Sequence, residues 1–397
     1  MLGNCSTRDG RSRVRAPAAP HVTWTTKLPT DSSGQLGWSS IATDAAGNAY
    51  VAANGQVSGS NGSLLRVSGA DGTVAWMVPI QPDGETTTPI VLSSGGIDLC
   101  AYTPGDAQNV NALFTFDPAT GSATSTNFGF DLDSASPPET ADIAVGSDGS
   151  LYVTHQVGVI DTKTYISRIG PDGSVRWTTP DLSTFGPPLT YLSGVLTFFP
   201  STVALAKDDM VVVFWNLTPE GGGQNYQTIA LAFDAATGKS KWVTPLQGET
   251  EGGPVVRSDG SIVALVQGQG PVNLVVLDAA TGSSRESPVY PQPWWIYGVT
   301  QSGVVLTEAD QGYGTYAIAD DGSFLWTHTG ATVRTIASDG TIIASGDTIE
   351  GLDETTGTTK WELAPPSPAG CVAFVALTSD GKLVALQCDG TLFGASD

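Results

Sequence analysis

The chain has 397 residues, room for one large domain or several ordinary ones, with 39 acidic against 17 basic side chains and a net charge of −22. A nucleic-acid binder presents a basic face, and none is visible here; no apolar run approaches the roughly 18 residues of a membrane-spanning helix. Charged residues are only 14%, whereas Gly numbers 48 and Pro 25, a balance that points to many short strands joined by tight turns.

Residues 1–21 differ from the rest. They carry four arginines, little apolar content and two prolines, which predicts a flexible leader or tether ahead of a single domain over 22–397. There is no apolar segment of the signal-peptide kind. Leu2-Gly3-Asn4-Cys5 faintly matches a lipoprotein processing site, so Cys5 is a candidate for acylation, set against an ordinary tail cysteine.

Two short patterns then alternate to the end of the chain. The first is an apolar strand, a turn of the Ser/Thr-Asp-Gly type and a second apolar strand. It occurs at 41–52, 90–102, 143–154, 203–214, 255–266, 299–308, 335–345 and 375–386, eight times in all. The second is a strand ending in Asp, a glycine turn, and a strand with Trp four residues after the glycine. Trp76, Trp177, Trp242, Trp326 and Trp361 mark complete copies, while two more copies have Ser125 and Glu286 in the Trp position. Trp24, in HVTWTTKL, is an orphan: an outer strand with no turn before it.

The turn glycines supply the left-handed backbone a tight hairpin needs. Valine- and isoleucine-rich inner strands suit sheets buried on both faces, with the outer-strand Trp packing between neighbours. A four-stranded unit cannot bury its faces alone, and closing the units in a ring removes the need for caps. Eight copies of the first pattern against seven of the second predict an eight-bladed β-propeller of four-stranded antiparallel blades. The ring would close where the Trp24 strand pairs with residues 390–396.

AFDAATGKSKW (232–242) and GLDETTGTTKW (351–361) are similar to the PQQ-like (pyrroloquinoline-quinone-type) propeller repeat, and the resemblance extends over nearly all of 22–397. That family includes quinoprotein alcohol dehydrogenases and an outer-membrane lipoprotein that assists β-barrel assembly. The resemblance implies an extracytoplasmic bacterial protein, secreted, periplasmic or lipid-anchored, and it implies fold more than reaction. The dehydrogenases carry a vicinal cysteine pair beside the cofactor. Here Cys5, Cys100, Cys371 and Cys388 are all separate, which argues against PQQ, and no cofactor is expected. Cys371 and Cys388 flank one hairpin; a disulfide and two buried thiols both fit.

In such a ring the A–B and C–D hairpins share one side, and the longer B–C and D–A connections share the other. The longer loops are the natural site of function. They bring the candidate ligand-binding aromatics Trp294, Trp295, Tyr297, Trp215, Tyr226, Tyr191 and Tyr313, read against plain packing between blades. His155, Glu139 and Glu251 are the catalytic candidates. Glu85, Asp142 and Glu251 are the candidates for holding Ca²⁺, read against solvated loop acids. No zinc spacing can be assembled from four cysteines and three histidines. The expectation is a monomeric, non-catalytic binding or scaffold module for a protein, peptide or small ligand. The alternatives are an enzyme acting on a small molecule at the channel mouth, and a carbohydrate or calcium-dependent binder.

Overall fold

The computed structural model describes residues 11–28, 38–53, 63–79, 85–86, 90–91, 97–102, 112–127, 143–157, 163–185, 203–206, 210–217, 227–250, 253–268, 270–290, 293, 295–308, 314–368 and 370–397. The described strands are antiparallel and gather into eight sheets. Seven are blades made in chain order from one uninterrupted stretch each: I (38–79), II (85–127), III (143–178), IV (204–247), V (249–289), VI (296–329) and VII (331–363). The last is a composite closing sheet, in which Val372–Leu377, Leu383–Gln387 and Thr391–Ser396 are completed by His21–Lys27.

The expectation of eight four-stranded blades is therefore corrected. Seven blades, not eight, are cut from continuous chain, and two of these seven have five strands rather than four. In blade II the inner position is split into Glu85–Thr86 and Ile90–Val91, and in blade V into Glu249–Thr250 and Val255–Val256. Both second halves are preceded by a proline, Pro89 and Pro254. Proline has no N–H for the ladder, so the inner strand of blade V breaks at Pro254.

The closing sheet is held by the ladder His21↔Ser396 to Lys27↔Thr391, with one irregularity between Val22 and Trp24. Residues 11–20, from the segment expected to be a leader, lie against the ring. Ser12 N–H donates to the Ile336 carbonyl (2.6 Å), and Ser338 N–H to that of Val14 (2.8 Å).

Among the described residues, apolar cores join neighbouring blades at seven junctions. One cluster joins Val212, Phe214 and Trp242 of blade IV to Ile262, Val275 and Leu277 of blade V. Another joins Trp24, Val384 and Leu392 of the closing sheet to Ile41, Val51 and Leu65 of blade I.

The outer-strand tryptophans lock these junctions by a repeated device. In five of the six, the indole N–H donates to a carbonyl in the C–D turn of the next blade: Trp24 to Gly69 (3.0 Å), Trp76 to Pro118 (3.0 Å), Trp177 to Ala235 (3.0 Å), Trp242 to Ala279 (2.8 Å) and Trp326 to Glu354 (3.1 Å). The turn glycine serves twice. Gly238 has φ +69°, and a Cβ there would stand 2.7 Å from the ring of Trp177. Glycine is thus required by the backbone and by the indole lying over it.

Blade V has Glu286 where the Trp would be, and ions replace the indole. Arg285 (3.1 Å) and the buried Arg257 (2.5 Å) both reach Asp320, in the C–D turn of blade VI.

Cys371 and Cys388 are joined as a disulfide with Cα atoms 5.7 Å apart. Cys388 N–H also donates to the Cys371 carbonyl (3.0 Å), so the bridge extends the ladder of Val372–Leu377 with Leu383–Gln387 at its open end. Cross-linking residues 17 apart restricts the unfolded chain by about 3 kcal/mol. Cys371→Ser with Cys388→Ser should lower unfolding stability by about that amount. In denaturant titration, reductant should shift the parent midpoint and leave the double variant unmoved; equal midpoints for oxidised and reduced parent would overturn this.

Candidate functional site at the channel mouth

The two sides of the ring differ in chemistry. On the hairpin side the aspartates are consumed by their own turns. Asp234 Oδ1 accepts from Thr237 N–H (2.9 Å) and Thr237 Oγ1 (2.7 Å), and Asp117, Asp278 and Asp353 repeat the pattern with Thr120, Thr281 and Thr356. Hydrogen bonds from these threonines hold the Asp117, Asp234 and Asp278 carboxyls below the ordinary aspartate range. Much of the negative charge is therefore turn chemistry.

On the other side, several sequence candidates can be placed. Trp215 is buried in the core shared by blades III and IV, with Tyr152, Ile166 and Ile229, and belongs to packing. His155 lies on the second strand of blade III. It is 5% exposed and stacked on Tyr165 at 5.4 Å. Burial pushes its pKa down to about 4, so it is neutral near pH 7. Trp295 is 45% exposed, the sort of apolar surface a ligand can cover. Tyr297 is half-buried against the core between blades VI and VII. Trp294, Tyr226, Tyr191, Tyr313, Glu139, Glu251, Asp142 and Cys5 lie outside the described residues, as does the side chain of Glu85. Among the described residues no three His, Cys, Asp or Glu side chains gather to hold a metal ion.

The structure brings Tyr297 together with two residues the sequence did not single out, Glu308 and Arg334. Tyr297 sits at an irregularity of the inner strand of blade VI, between Ile296 and Gly298, and Arg334 at the matching one of blade VII, between Val333 and Thr335. A bulge of this kind re-aims one side chain out of the alternating pattern. The same irregularity recurs at Ala373 in the closing sheet and Ser39 in blade I, where the residues are small. Along this arc only blades VI and VII carry large polar groups at that position.

Glu308 ends the second strand of blade VI, and its N–H donates to the Trp295 carbonyl (2.8 Å), which ties the exposed indole's backbone to the acid. Arg334 Nε donates to Ser345 Oγ (2.7 Å), and Ser345 Oγ in turn to the Val372 carbonyl (3.1 Å). Burial raises the pKa of Glu308, against the opposing pull of a Tyr297 hydrogen bond and the Arg334 charge. Burial also raises Tyr297, with the Glu308 charge adding to it. The arrangement is a partly desolvated Tyr–Glu–Arg cluster beside an exposed indole. It can bind a polar group through Arg334 and Glu308 while Trp295 covers an apolar one. His155 is on blade III, with blades IV and V between it and this cluster, and the two do not form one site.

Comparison with known proteins agrees with this architecture. Residues 108–293 match the family model described as outer membrane protein assembly factor BamB. Among solved structures, BamB from Moraxella catarrhalis superposes with a TM-score of 0.54 at 15% identity, over 96% of this chain and 100% of that one. Quinohemoprotein alcohol dehydrogenase from Comamonas testosteroni gives 0.64 at 12% identity, over 98% of this chain and 79% of that one. The Dos1 propeller gives 0.63 at 11% identity, over 96% and 95%. No curated protein sequence matches. At these identities the solved structures speak for fold alone.

Proposed function

We propose, on the premise that the chain is a propeller of the PQQ-like superfamily, that it is a monomeric, extracytoplasmic binding or scaffold module. It holds a protein or peptide on the face of the B–C and D–A loops. The observation that carries the reading is the exposed Trp295 beside the Tyr297–Glu308–Arg334 cluster, an aromatic anchor next to a charged pair of the kind that dominates binding hot spots. The Cys371–Cys388 bridge supports the location, because such bonds persist in oxidising compartments. The matching family model is named for an outer membrane protein assembly factor, which favours a protein ligand.

A photoreactive amino acid placed at Trp295, in cells of the native host, should give a discrete protein adduct. The same residue at Ser261, on the hairpin side, should give none. Adducts at Ser261 alone would reverse the assignment of faces. A second reading, an enzyme acting on a small molecule, is favoured by the grouping of Glu308 with Tyr297 and Arg334, where burial raises the carboxyl toward the range in which acid–base groups work. In that case Glu308→Gln abolishes turnover and leaves the fold intact.

A further inference from the structure

The segment 11–19 follows a path that its composition did not foretell. The first strand of blade VII, Ala331–Ile336, is the terminal strand of its sheet, so one edge of it is open toward the channel. Arg11 forms a parallel bridge with Ile336 at that edge, and the hydrogen bonds of Ser12 N–H and Ser338 N–H flank it. The chain then crosses the hairpin side between blade VII and the closing sheet. Arg15 approaches Asp339 (3.9 Å), Ala16 packs beside Trp361 and Leu377, Pro17 is buried, and Ala19 N–H donates to Asp397 Oδ1 (2.8 Å). That last bond stands where the other blades have an Asp-capped C–D turn, which the closing sheet lacks because its fourth strand comes from the other end of the chain.

Around the segment runs a groove of about 820 Å³, lined on the ring side by Asp339, Thr341, Lys360, Trp361, Asp380 and Asp397. Its three carboxylates, of which Asp380 is paired with Lys382 (2.7 Å), share the groove with Arg13 and Arg15 of the segment. The Arg15 side chain is 83% exposed, so the groove is only part-filled.

We propose that this groove, between blade VII and the closing sheet, is a docking site for an extended arginine-bearing peptide of a partner protein, occupied in the free chain by residues 11–18. Two features of the seated segment define the ligand. Recognition through main-chain bonds at an open strand edge asks for an extended backbone and tolerates varied side chains. Three facing carboxylates ask for positive charge. The tethered segment competes at an effective concentration on the order of millimolar, so a partner enters only when it outcompetes the segment or when the segment is released.

The probe is a fluorescent peptide of residues 9–19, titrated into two full-length proteins, the parent and a Ser12→Pro, Arg15→Glu variant. Proline removes the donor to Ile336, and the charge reversal weakens the contact with Asp339, while the closing strand stays in place. The variant should bind the peptide about tenfold more tightly than the parent. A peptide carrying R11E, R13E and R15E should bind the variant about tenfold more weakly than the native peptide. Hydrogen exchange of the parent adds a measurement that needs no variant: the Ser338 amide should exchange by a local opening, well before the amides of Thr341–Gly346. Equal binding by parent and variant, no binding to either, indifference to charge reversal, or Ser338 exchanging only with the core would each overturn the proposal.

Discussion

Deleting residues 1–28 is expected to abolish cooperative folding of the ring, whereas deleting residues 1–18 costs only about 1–2 kcal/mol. The longer cut removes the strand His21–Lys27, which is the fourth strand of the closing sheet. Thr391–Ser396 would become a bare edge with unpaired N–H and C=O groups. The cut also takes away Trp24 and Leu28, 9% and 2% exposed, from the core shared with blade I. Those two losses each fall in the range of about 2–5 kcal/mol for large-to-small changes, before any hydrogen bond is counted. The total rivals the whole stability of an ordinary domain. The shorter cut loses the two main-chain bonds to Ile336 and Ser338, the Ala16 and Pro17 packing and an exposed ion pair, and leaves the ladder whole. Denaturant titration of the two deletions against the parent measures the contrast. A cooperative transition of near-parental midpoint for the 1–28 deletion would show that the terminal strand is dispensable.

Much of this closure is legible in the sequence because it rests on patterns of short range. The glycine turns and the Trp four residues beyond them are read directly, and the orphan Trp24 marks the strand that must find its turn elsewhere. The split inner strand of blade V is also written in the sequence, at Pro254, and hidden by the regularity of the repeat around it. What the sequence does not display is which residue a bulge will turn. Tyr297 and Arg334 occupy ordinary places in alternating strands, and only the register irregularities bring them beside Glu308. Nor does composition show that an arginine- and proline-rich segment will lie along a strand edge. Its hydrogen bonds come from the main chain, and main-chain groups carry no sequence signal. Trp215 illustrates the converse: by sequence it is an aromatic beside a long loop and a natural ligand contact, and the fold buries it between blades.

The tryptophan–glycine device makes the second large effect, and it is a coupled one. Trp177→Ala should destabilise by about 3 kcal/mol, chiefly through the lost packing at the junction of blades III and IV, since the Ala235 carbonyl keeps Arg168 and Tyr152 as donors when the indole is gone. Gly238→Ala should cost about 2–5 kcal/mol for two separable reasons. An alanine at φ +69° carries roughly 1–2 kcal/mol of backbone strain. Its Cβ would also stand 2.7 Å from the Trp177 ring, an overlap worth roughly 1–3 kcal/mol unless the indole moves. The three atoms nearest this Cβ all belong to Trp177, so removing the indole should relieve the overlap and leave the strain. The double variant should therefore be more stable than the sum of the single effects by about 1–3 kcal/mol, measured as a double-mutant cycle from urea midpoints. Strict additivity would mean that the glycine is kept for its backbone angle alone. The repeat would then owe its Asp-x-x-Thr-Gly turn to the hairpin and nothing to the tryptophan of the blade before it.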